Sequence, residues 1–300
     1  MTDILSIIKC PVCGGNLKRI EKSLVCENRH TFDVAKQGYV NLLPPGKEKN
    51  ARTGDEQLMV KARVDFLAGG YYSAISRKLS ELISNHICDD ENGTVVVCDM
   101  GCGEGYHTCN ITACLAEMKN QPVLSLGLDA SKHAAVYSSR LSRAKGMMPA
   151  GGIGAAFESE TQAYFTPSNI FHLPVRDHSV NVAVSMFAPI AWDEVLRILK
   201  PGGILAVVAS GRDHLMEMRN IIYDNVHITD FEPISHEGFI EVCRDSLTYK
   251  ADILSNDQIK NLFIMTPFYY KTTEAGRERL YSKEQLSVTI DVNYMIFKVE

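Results

Sequence analysis

Short apolar runs alternate with stretches of helical periodicity through most of the chain after residue 93. Four runs rich in β-branched residues predict strands: Thr94–Asp99, Val123–Asp129, Val180–Met186 and Ile204–Ser210. Continuous apolar strands that alternate with helices are typical of an α/β fold with a parallel sheet covered on both faces. Leu286–Val299 predicts a last strand that follows no crossover helix, so we expect it antiparallel, at or near the sheet edge.

Two helices are predicted before the first of these strands, over 55–68 and 71–87, separated by Gly69-Gly70. Further upstream, the charged run Lys47–Arg52 follows a proline pair and predicts an exposed basic linker. The glycine-rich stretch Gly146–Ala156 predicts a loop insertion. We therefore divide the chain into a small N-terminal domain (1–45), a basic linker with a helical segment (46–92) and an α/β domain (93–300).

Composition narrows the class of protein. The 300 residues are 45% apolar and 22% charged, which is ordinary globular usage, and no apolar run approaches the roughly 18–20 residues that span a bilayer. Nine cysteines without a secretory signal indicate a reducing compartment, so we expect a cytoplasmic protein.

The first 63 residues hold eleven Lys or Arg against seven Asp or Glu, whereas the remainder holds twenty against twenty-nine. This difference favours contact with a polyanion through the N-terminal part, although it is also within ordinary surface variation.

Four potential metal ligands lie near the N-terminus with the spacing C-x2-C-x12-C-x3-H: Cys10, Cys13, Cys26 and His30. Three thiols and an imidazole in two pairs suit tetrahedral Zn²⁺. Leu17–Val25, between the pairs, predicts a hairpin, and so small a unit would depend on the metal for its stability. A fully ligated ion has no open position, so we expect a structural role.

A glycine turn follows the first predicted strand, in the segment Asp99–Gly105. Glycines at 101, 103 and 105 would let the backbone approach a ligand closely. Tyr106 stands where the dinucleotide fingerprint requires glycine, which disfavours NAD, and no phosphate-binding G-x-x-x-x-G-K-[ST] loop is present. Asp129 ends the second strand, where a carboxylate can accept ribose hydroxyl protons; it could also cap the next helix, a role that Ser131 can take. Asp99, the three glycines and Asp129 together favour S-adenosylmethionine (SAM).

Two further segments, Leu173–Val182 and Glu194–Gly203, resemble motifs of the class I SAM-dependent methyltransferases. The resemblance implies a Rossmann-like, mostly parallel sheet. The usual acid before the fourth strand is replaced by Asn181, a local departure that we do not expect to affect cofactor binding.

The N-terminal segment resembles the RlmA family of 23S rRNA guanine-N1-methyltransferases. The resemblance lies in the four potential zinc ligands and in the run Thr31–Pro44 that follows them. Further matches are Phe66–Tyr72, Gly101–Tyr106, Phe187–Pro189 and His214–Glu217; the likeness weakens over 146–169. It implies transfer of a methyl group from SAM to N1 of a guanine in a 23S rRNA hairpin, structural zinc and a homodimer. By the same resemblance, zinc would be bound by Cys10, Cys13, Cys26 and His30. SAM would be contacted by Tyr72, Gly103, Glu104 and His214.

The residues that receive the guanine and take its proton are predicted near the end of the strand that finishes at Met186. Asp193 and Glu194 are candidate acceptors for the guanine N1 proton, although Glu194 is more easily explained by pairing on its own helix. The turn at Phe187 would shape the base pocket, with Phe187 or Trp192 stacking on the base. We interpret Cys102 as a small loop residue. The basic residues of the N-terminal domain would grip RNA phosphates: Lys18, Arg19, Lys22, Arg29 and Lys36.

Two other functions stay open from the sequence. One is a SAM-dependent methyltransferase of another acceptor, whether other RNA, protein or small molecule, with a purely structural zinc knuckle. The other is a non-catalytic RNA-binding module that holds SAM and zinc.

Overall fold

The computed structural model describes residues 2–44, 55–88, 93–148, 150, 152–154, 159–226 and 234–300. Its helices are α1 (Ile4–Ile7), α2 (Gln57–Leu67), α3 (Ser73–His86), α4 (Tyr106–Lys119), α5 (Lys132–Ala144), α6 (Trp192–Ile198), α7 (Met216–Ile222), α8 (Asn256–Ile264), α9 (Phe268–Lys271) and α10 (Glu274–Tyr281). None of these described helices has the length and apolar character needed to cross a membrane.

The strands form two sheets. Strands β1 (Leu17–Ile20), β2 (Ser23–Cys26) and β3 (Thr31–Asp33) make a small antiparallel sheet. Strands β4 (Val95–Met100), β5 (Val123–Asp129), β6 (Gln162–Pro167), β7 (Val180–Met186), β8 (Leu199–Ser210), β9 (Phe239–Ile253) and β10 (Leu286–Val299) make a second sheet in the order β6-β5-β4-β7-β8-β10-β9. The first five strands of that order run parallel, whereas β10 pairs antiparallel with both β8 and β9. The predicted fold class and the antiparallel last strand are confirmed.

Two predictions about strands need correction. The loop insertion was predicted over Gly146–Ala156 and no strand was predicted between it and Val180, but β6 lies there, pairs with β5 and is buried along its whole length. The prediction also missed β9, a 15-residue edge strand, so that β10 lies one position inside the edge. The predicted linker Lys47–Arg52 lies outside the described residues.

The two faces of the large sheet are covered differently. On one face α3, α4, α7, α8 and α10 pack into a continuous apolar cluster with the strands. On the other face the cluster includes α1, α6 and the small N-terminal sheet, with Leu17, Leu24, Val40 and Leu42 all buried in it. The N-terminal sheet therefore completes the core of the α/β unit instead of standing apart from it.

The attachment of the N-terminal unit is also polar. Backbone hydrogen bonds join Lys9 N–H to Pro174 O (2.9 Å) and Arg176 N–H to Ile7 O (2.8 Å). Lys9 also pairs with Asp177 at 3.3 Å, and Arg197 of α6 donates to the same carboxylate oxygen at 2.6 Å. These contacts hold the N-terminal unit in one orientation on the sheet.

Candidate functional site: a four-ligand metal cluster and a strand-tip cavity

The predicted metal ligands are brought together by two tight turns. Gly14 adopts a φ of +72° and donates to Cys10 O, and Cys26 N–H donates to His30 O at the second turn. The four ligand atoms of Cys10, Cys13, Cys26 and His30 all lie within 4.8 Å of one another.

The spacing of these atoms fits a tetrahedral zinc ion. The Sγ atoms of Cys13 and Cys26 are 3.7 Å apart, and His30 Nδ1 lies 3.6 Å from Cys10 Sγ and 3.3 Å from Cys26 Sγ. Zn–S bonds of about 2.3 Å in a tetrahedron place two sulfurs about 3.8 Å apart. The donor set and its dimensions therefore suit structural zinc, as predicted.

A cavity of about 1050 Å³ opens at the carboxyl ends of β4, β5, β6 and β7. In the sheet order β5 and β6 lie on one side of β4 and β7 on the other, so this is the point where the strand order reverses. Open α/β sheets bind ligands at such a point. Helix α2 closes the cavity from above through Met59, Arg63 and Leu67, which share one face at helical spacing.

The glycine turn forms the floor of the cavity. Gly101, Gly103 and Gly105 have φ values of +79°, +53° and +83°, a region that favours glycine. A Cβ at Gly101 would lie 2.7 Å from the Ala188 side chain, and one at Gly105 would lie 2.8 Å from the Phe165 ring. The absence of side chains is therefore required here for both conformation and space.

Asp99 is a buried carboxylic acid in the cavity wall. Thr108 donates to its Oδ2 at 2.5 Å, whereas Oδ1 is buried without a hydrogen-bond partner among the described residues. Burial, with added repulsion from Asp129 and Glu104, raises the pKa of Asp99 to about 7. An unpaired buried acceptor of this kind suits a cationic ligand group.

Asp129 holds the glycine turn while keeping acceptor capacity. Its carboxylate accepts hydrogen bonds from Gly103 N–H at 3.0 Å and Ser131 N–H at 2.7 Å. Ser131, not Asp129, caps helix α5 by accepting from Ala134 N–H. Burial raises the pKa of Asp129 in spite of these bonds. A carboxylate has about four lone-pair sites, so two remain for a ligand.

Arg63 lies between two acidic residues of the cavity wall. Its Nη1 is 2.6 Å from Asp55 Oδ2 and 3.7 Å from Glu104 Oε2. Burial opposes the charge of Arg63, but the neighbouring carboxylates raise its pKa. Burial raises the pKa of Glu104, and the charge of Arg63 opposes that shift. The sequence missed Arg63, whose only signal was its helical spacing with Met59 and Leu67.

Tyr72 and His214 meet at another wall. The Tyr72 hydroxyl lies 3.4 Å from His214 Nε2, and Asp291 N–H donates to His214 Nδ1 at 3.2 Å. Burial lowers the pKa of His214 to about 4 and raises that of Tyr72. The ring of Phe187 stacks on His214 with centroids 6.1 Å apart.

Seven of the eight predicted cofactor residues line the cavity: Tyr72, Asp99, Gly101, Gly103, Glu104, Asp129 and His214. The eighth, Gly105, lies directly before α4 and shapes the turn. Sequence reasoning missed several other lining residues, among them Leu43, His107, Ser168 and Phe171. His107 is held by a 2.6 Å hydrogen bond to Ser76 Oγ, and burial lowers its pKa to about 4.

The acceptor candidates separate in the structure. Phe187 lines the cavity, is 44% exposed and adopts a φ of +53°. Asp193 is exposed and does not line the cavity, and neither does Glu194, whose carboxylate accepts from Leu173 N–H at 2.5 Å and from Arg197 at 2.8 Å. Trp192 stacks on His236 at a centroid distance of 5.0 Å, outside the cavity lining.

The predicted RNA-gripping residues lie on the N-terminal unit. Lys18, Lys22, Arg29 and Lys36 are exposed. Arg19 is partly buried and donates to Ile153 O. Its side chain therefore helps to anchor the unit, whereas the other four are accessible to a polyanion.

Comparison with known proteins gives a match to a family model and three curated relatives. The model of the zinc ribbon at the N-terminus of RlmA matches residues 8–52. A 23S rRNA (guanine(748)-N(1))-methyltransferase of Streptomyces fradiae is 34% identical over 216 residues, covering 72% of this chain and 68% of the relative. A protein of Micromonospora griseorubida, provisionally named a 23S rRNA (guanine-N(1)-)-methyltransferase, is 32% identical and covers 72% and 70%. The Bacillus subtilis (strain 168) protein YxjB, provisionally named in the same way, is 26% identical and covers 97% and 96%.

Proposed function

This chain belongs to the family of 23S rRNA (guanine-N(1)-)-methyltransferases, and we propose that it transfers a methyl group from SAM to N1 of a guanine in 23S rRNA. The observation that carries the cofactor half of this proposal is the cavity at the strand tips. There the glycine turn, the hydrogen-bonded Asp129 and Asp99, whose Oδ1 has no hydrogen-bond partner among the described residues, line one space. The choice of a 23S rRNA guanine as the methyl acceptor is supported by the names of the relatives.

The charges of the cavity fit SAM, which carries a sulfonium and an ammonium group against one carboxylate. Four acidic residues line the cavity, namely Asp55, Asp99, Glu104 and Asp129, and Arg63 is the one Lys or Arg among the described lining residues. Asp129 would hold the ribose hydroxyls, Asp99 the ammonium group and Arg63 the carboxylate. Tyr72 and His214 would supply a further polar contact. The loss of the sulfonium charge on methyl transfer would weaken attraction to the product and favour its release.

Bound SAM supplies a methyl group already activated on sulfur, so the chain has to align the acceptor nitrogen and exclude water. His214 does not suit the role of proton acceptor, because its Nδ1 lone pair already receives the Asp291 N–H. Asp193 and Glu194 stay predictions for that role, and their position outside the cavity lining does not support it.

Phe187 and Phe171 would receive the acceptor base. Both are large, exposed apolar side chains in the cavity lining, at 44% and 54% exposure. A guanine must leave its stack to be methylated at N1, and a flipped base is held by stacking on aromatic or apolar side chains. The exposed lysines of the N-terminal unit and Arg29 would bind the phosphates around it. A hairpin substrate and a homodimer stay predictions; light scattering on the purified protein tests the second.

The decisive experiment is mass mapping of 23S rRNA from cells with and without this gene, followed by restoration with the purified enzyme and SAM. We expect one N1-methylguanosine to disappear and to return. An unchanged set of methylated guanosines, with methyl transfer to another acceptor in vitro, would establish the alternative methyltransferase. SAM binding without turnover on any RNA would establish the non-catalytic alternative.

A further inference from the structure

The run from Thr31 to Pro44 connects the metal ligands to the cofactor cavity. After β3 the chain turns back through a bridge between Val34 and Val40 and a 2.8 Å hydrogen bond from Ala35 N–H to Tyr39 O. It then leaves the small sheet and continues beside β6. The run therefore belongs to both units.

The contact with β6 fixes the position of the run. The Thr166 hydroxyl donates to Val40 O, and Leu42 N–H donates to Pro167 O at 2.9 Å. The side chains of Val40 and Leu42 are fully buried in the core beneath the sheet. The next two residues, Leu43 and Pro44, are only half-buried and line the cavity.

This wall lies at the adenosine end of the cavity. Pro167 pairs in register with Asp129, the proposed ribose ligand, and Ser168 N–H donates to Asp129 O at 2.9 Å. Ser168 lines the same cavity, and its hydroxyl is buried without a hydrogen-bond partner among the described residues. An apolar surface beside an unused polar group is the surface that a purine base requires.

We propose that Leu43 and Pro44 cover the adenine of the cofactor, so that the zinc-binding unit forms part of the SAM site as well as the RNA-binding surface. This inference rests on the proposed function. It assigns Leu43 as a cofactor-positioning residue. It also couples the metal to the cofactor, because loss of zinc would release the turns that place the run against β6 and thereby weaken SAM binding.

The test measures binding of two probes to the full chain by calorimetry. S-adenosylhomocysteine contains the whole cofactor frame, whereas 5′-methylthioadenosine keeps the adenosine and lacks the amino acid part. We expect Leu43→Ala to weaken both by about tenfold. Leu43→Met should restore wild-type binding, because it keeps an apolar side chain of similar size. Asp99→Asn should weaken S-adenosylhomocysteine much more than 5′-methylthioadenosine.

The matched control is Ile20→Ala, which removes a 47% exposed apolar side chain from the same unit away from the cavity lining. It should bind both probes as the wild type does, and all variants should retain zinc. Removal of zinc by a chelator should reproduce the loss seen with Leu43→Ala. If the chelated chain unfolds, the Leu43 variants decide.

The outcomes separate this inference from the proposed function. Wild-type affinity of Leu43→Ala for 5′-methylthioadenosine would overturn the inference and leave the methyltransferase assignment intact. A wild-type chain that binds neither probe would overturn both.

Discussion

The backbone N–H of Asp291 donates to Nδ1 of His214 over 3.2 Å, which fixes the state of a histidine inside the proposed SAM site. A neutral imidazole has one N–H, so its proton must lie on Nε2, the atom that faces the Tyr72 hydroxyl. His214 therefore donates to Tyr72 and leaves the hydroxyl proton of Tyr72 free for the cavity. Strand β10 thus contacts the site through main-chain hydrogen bonds, since Thr289 O also accepts from the N–H of Leu215, another lining residue, at 2.8 Å.

The depressed pKa of His214 predicts a specific pH dependence of stability. Its pKa is about 4 in the folded chain, against about 6.5 when unfolded. Between these values the unfolded state binds the proton and the folded state does not, so this contribution to stability is lost as the pH falls from about 6.5 towards 4.

Comparison with His214→Asn isolates this effect, because Asn keeps an acceptor for Asp291 N–H and does not titrate. Unfolding in urea at pH 7 and pH 5 should show wild-type stability falling by about 1–2 kcal/mol more than that of the variant. All other titrating groups, including His107 and the cavity carboxylates, are common to both proteins. Equal pH dependence would show that His214 binds its proton equally in the folded and unfolded states and that folding does not lower its pKa.

Asp99 should make the affinity for the cofactor depend on pH near neutrality, above the range in which His214 affects stability. Burial raises its pKa to about 7, and an ammonium group binds the ionised form. Affinity for SAM should therefore be complete above about pH 8 and decrease by up to tenfold per pH unit below about pH 7. Calorimetry at pH 6, 7 and 8 measures this.

Asp99→Asn should bind SAM at least tenfold more weakly at pH 8 and lose most of the pH dependence, since a charge-assisted hydrogen bond contributes about 1.5–3 kcal/mol. Asp193→Asn is the matched control, because Asp193 is exposed and does not line the cavity. A variant that keeps the wild-type pH profile would remove Asp99 from the ammonium site.

Glu194 should affect stability rather than catalysis. Burial opposes the charge of Glu194, but hydrogen bonds from Arg197 and Leu173 N–H lower its pKa overall. Glu194→Gln breaks the pairing with Arg197, which also donates to Asp177 beside the N-terminal unit. The free energy of unfolding should fall by about 1–3 kcal/mol with kcat unchanged. A large loss of kcat at full stability would instead restore Glu194 as the proton acceptor.

The sequence predicted the parts of the fold in which one local pattern decides the structure. The apolar strands β4, β5 and β7 and the second half of β8 were found because burial on both faces leaves continuous apolar runs. Strand β9 alternates polar and apolar residues at the sheet edge, and β6 is short, with glutamine and threonine among its six residues. Neither has the continuous apolar pattern on which the prediction relied.

The same division applies to the site. The zinc ligands and the glycine turn follow from spacing, since each set lies close in the sequence. Arg63 and Leu43 reach the cavity from α2 and from the N-terminal unit, and only the packing of those elements on the strand tips brings them there. Glu194 is the first residue of one of the resembling motifs, but its helix directs it towards Arg197. Local sequence therefore identified the binding chemistry and could not supply the cavity walls.

Phe187 should be required for methylation of RNA and dispensable for binding the cofactor. A non-glycine residue at a φ of +53° is strained, and this backbone holds an exposed ring at the cavity mouth. Stacking of a base on an aromatic side chain contributes about 1–3 kcal/mol. Phe187→Ala should therefore reduce kcat/KM for the RNA by about 10–100-fold, measured with labelled SAM and protein-free 23S rRNA.

Two comparisons make the Phe187 experiment specific. Binding of S-adenosylhomocysteine to Phe187→Ala should stay within about twofold of wild type, because the ring is expected to hold the base and not the cofactor. Phe187→Tyr should recover most of the activity, because it keeps an aromatic ring for stacking. Tyr270→Ala, which removes a 55% exposed aromatic residue outside the cavity lining, should leave RNA methylation unchanged. If the two alanine variants lost activity equally, the loss would reflect general surface contact with RNA, and Phe187 would have no special place in holding the flipped guanine.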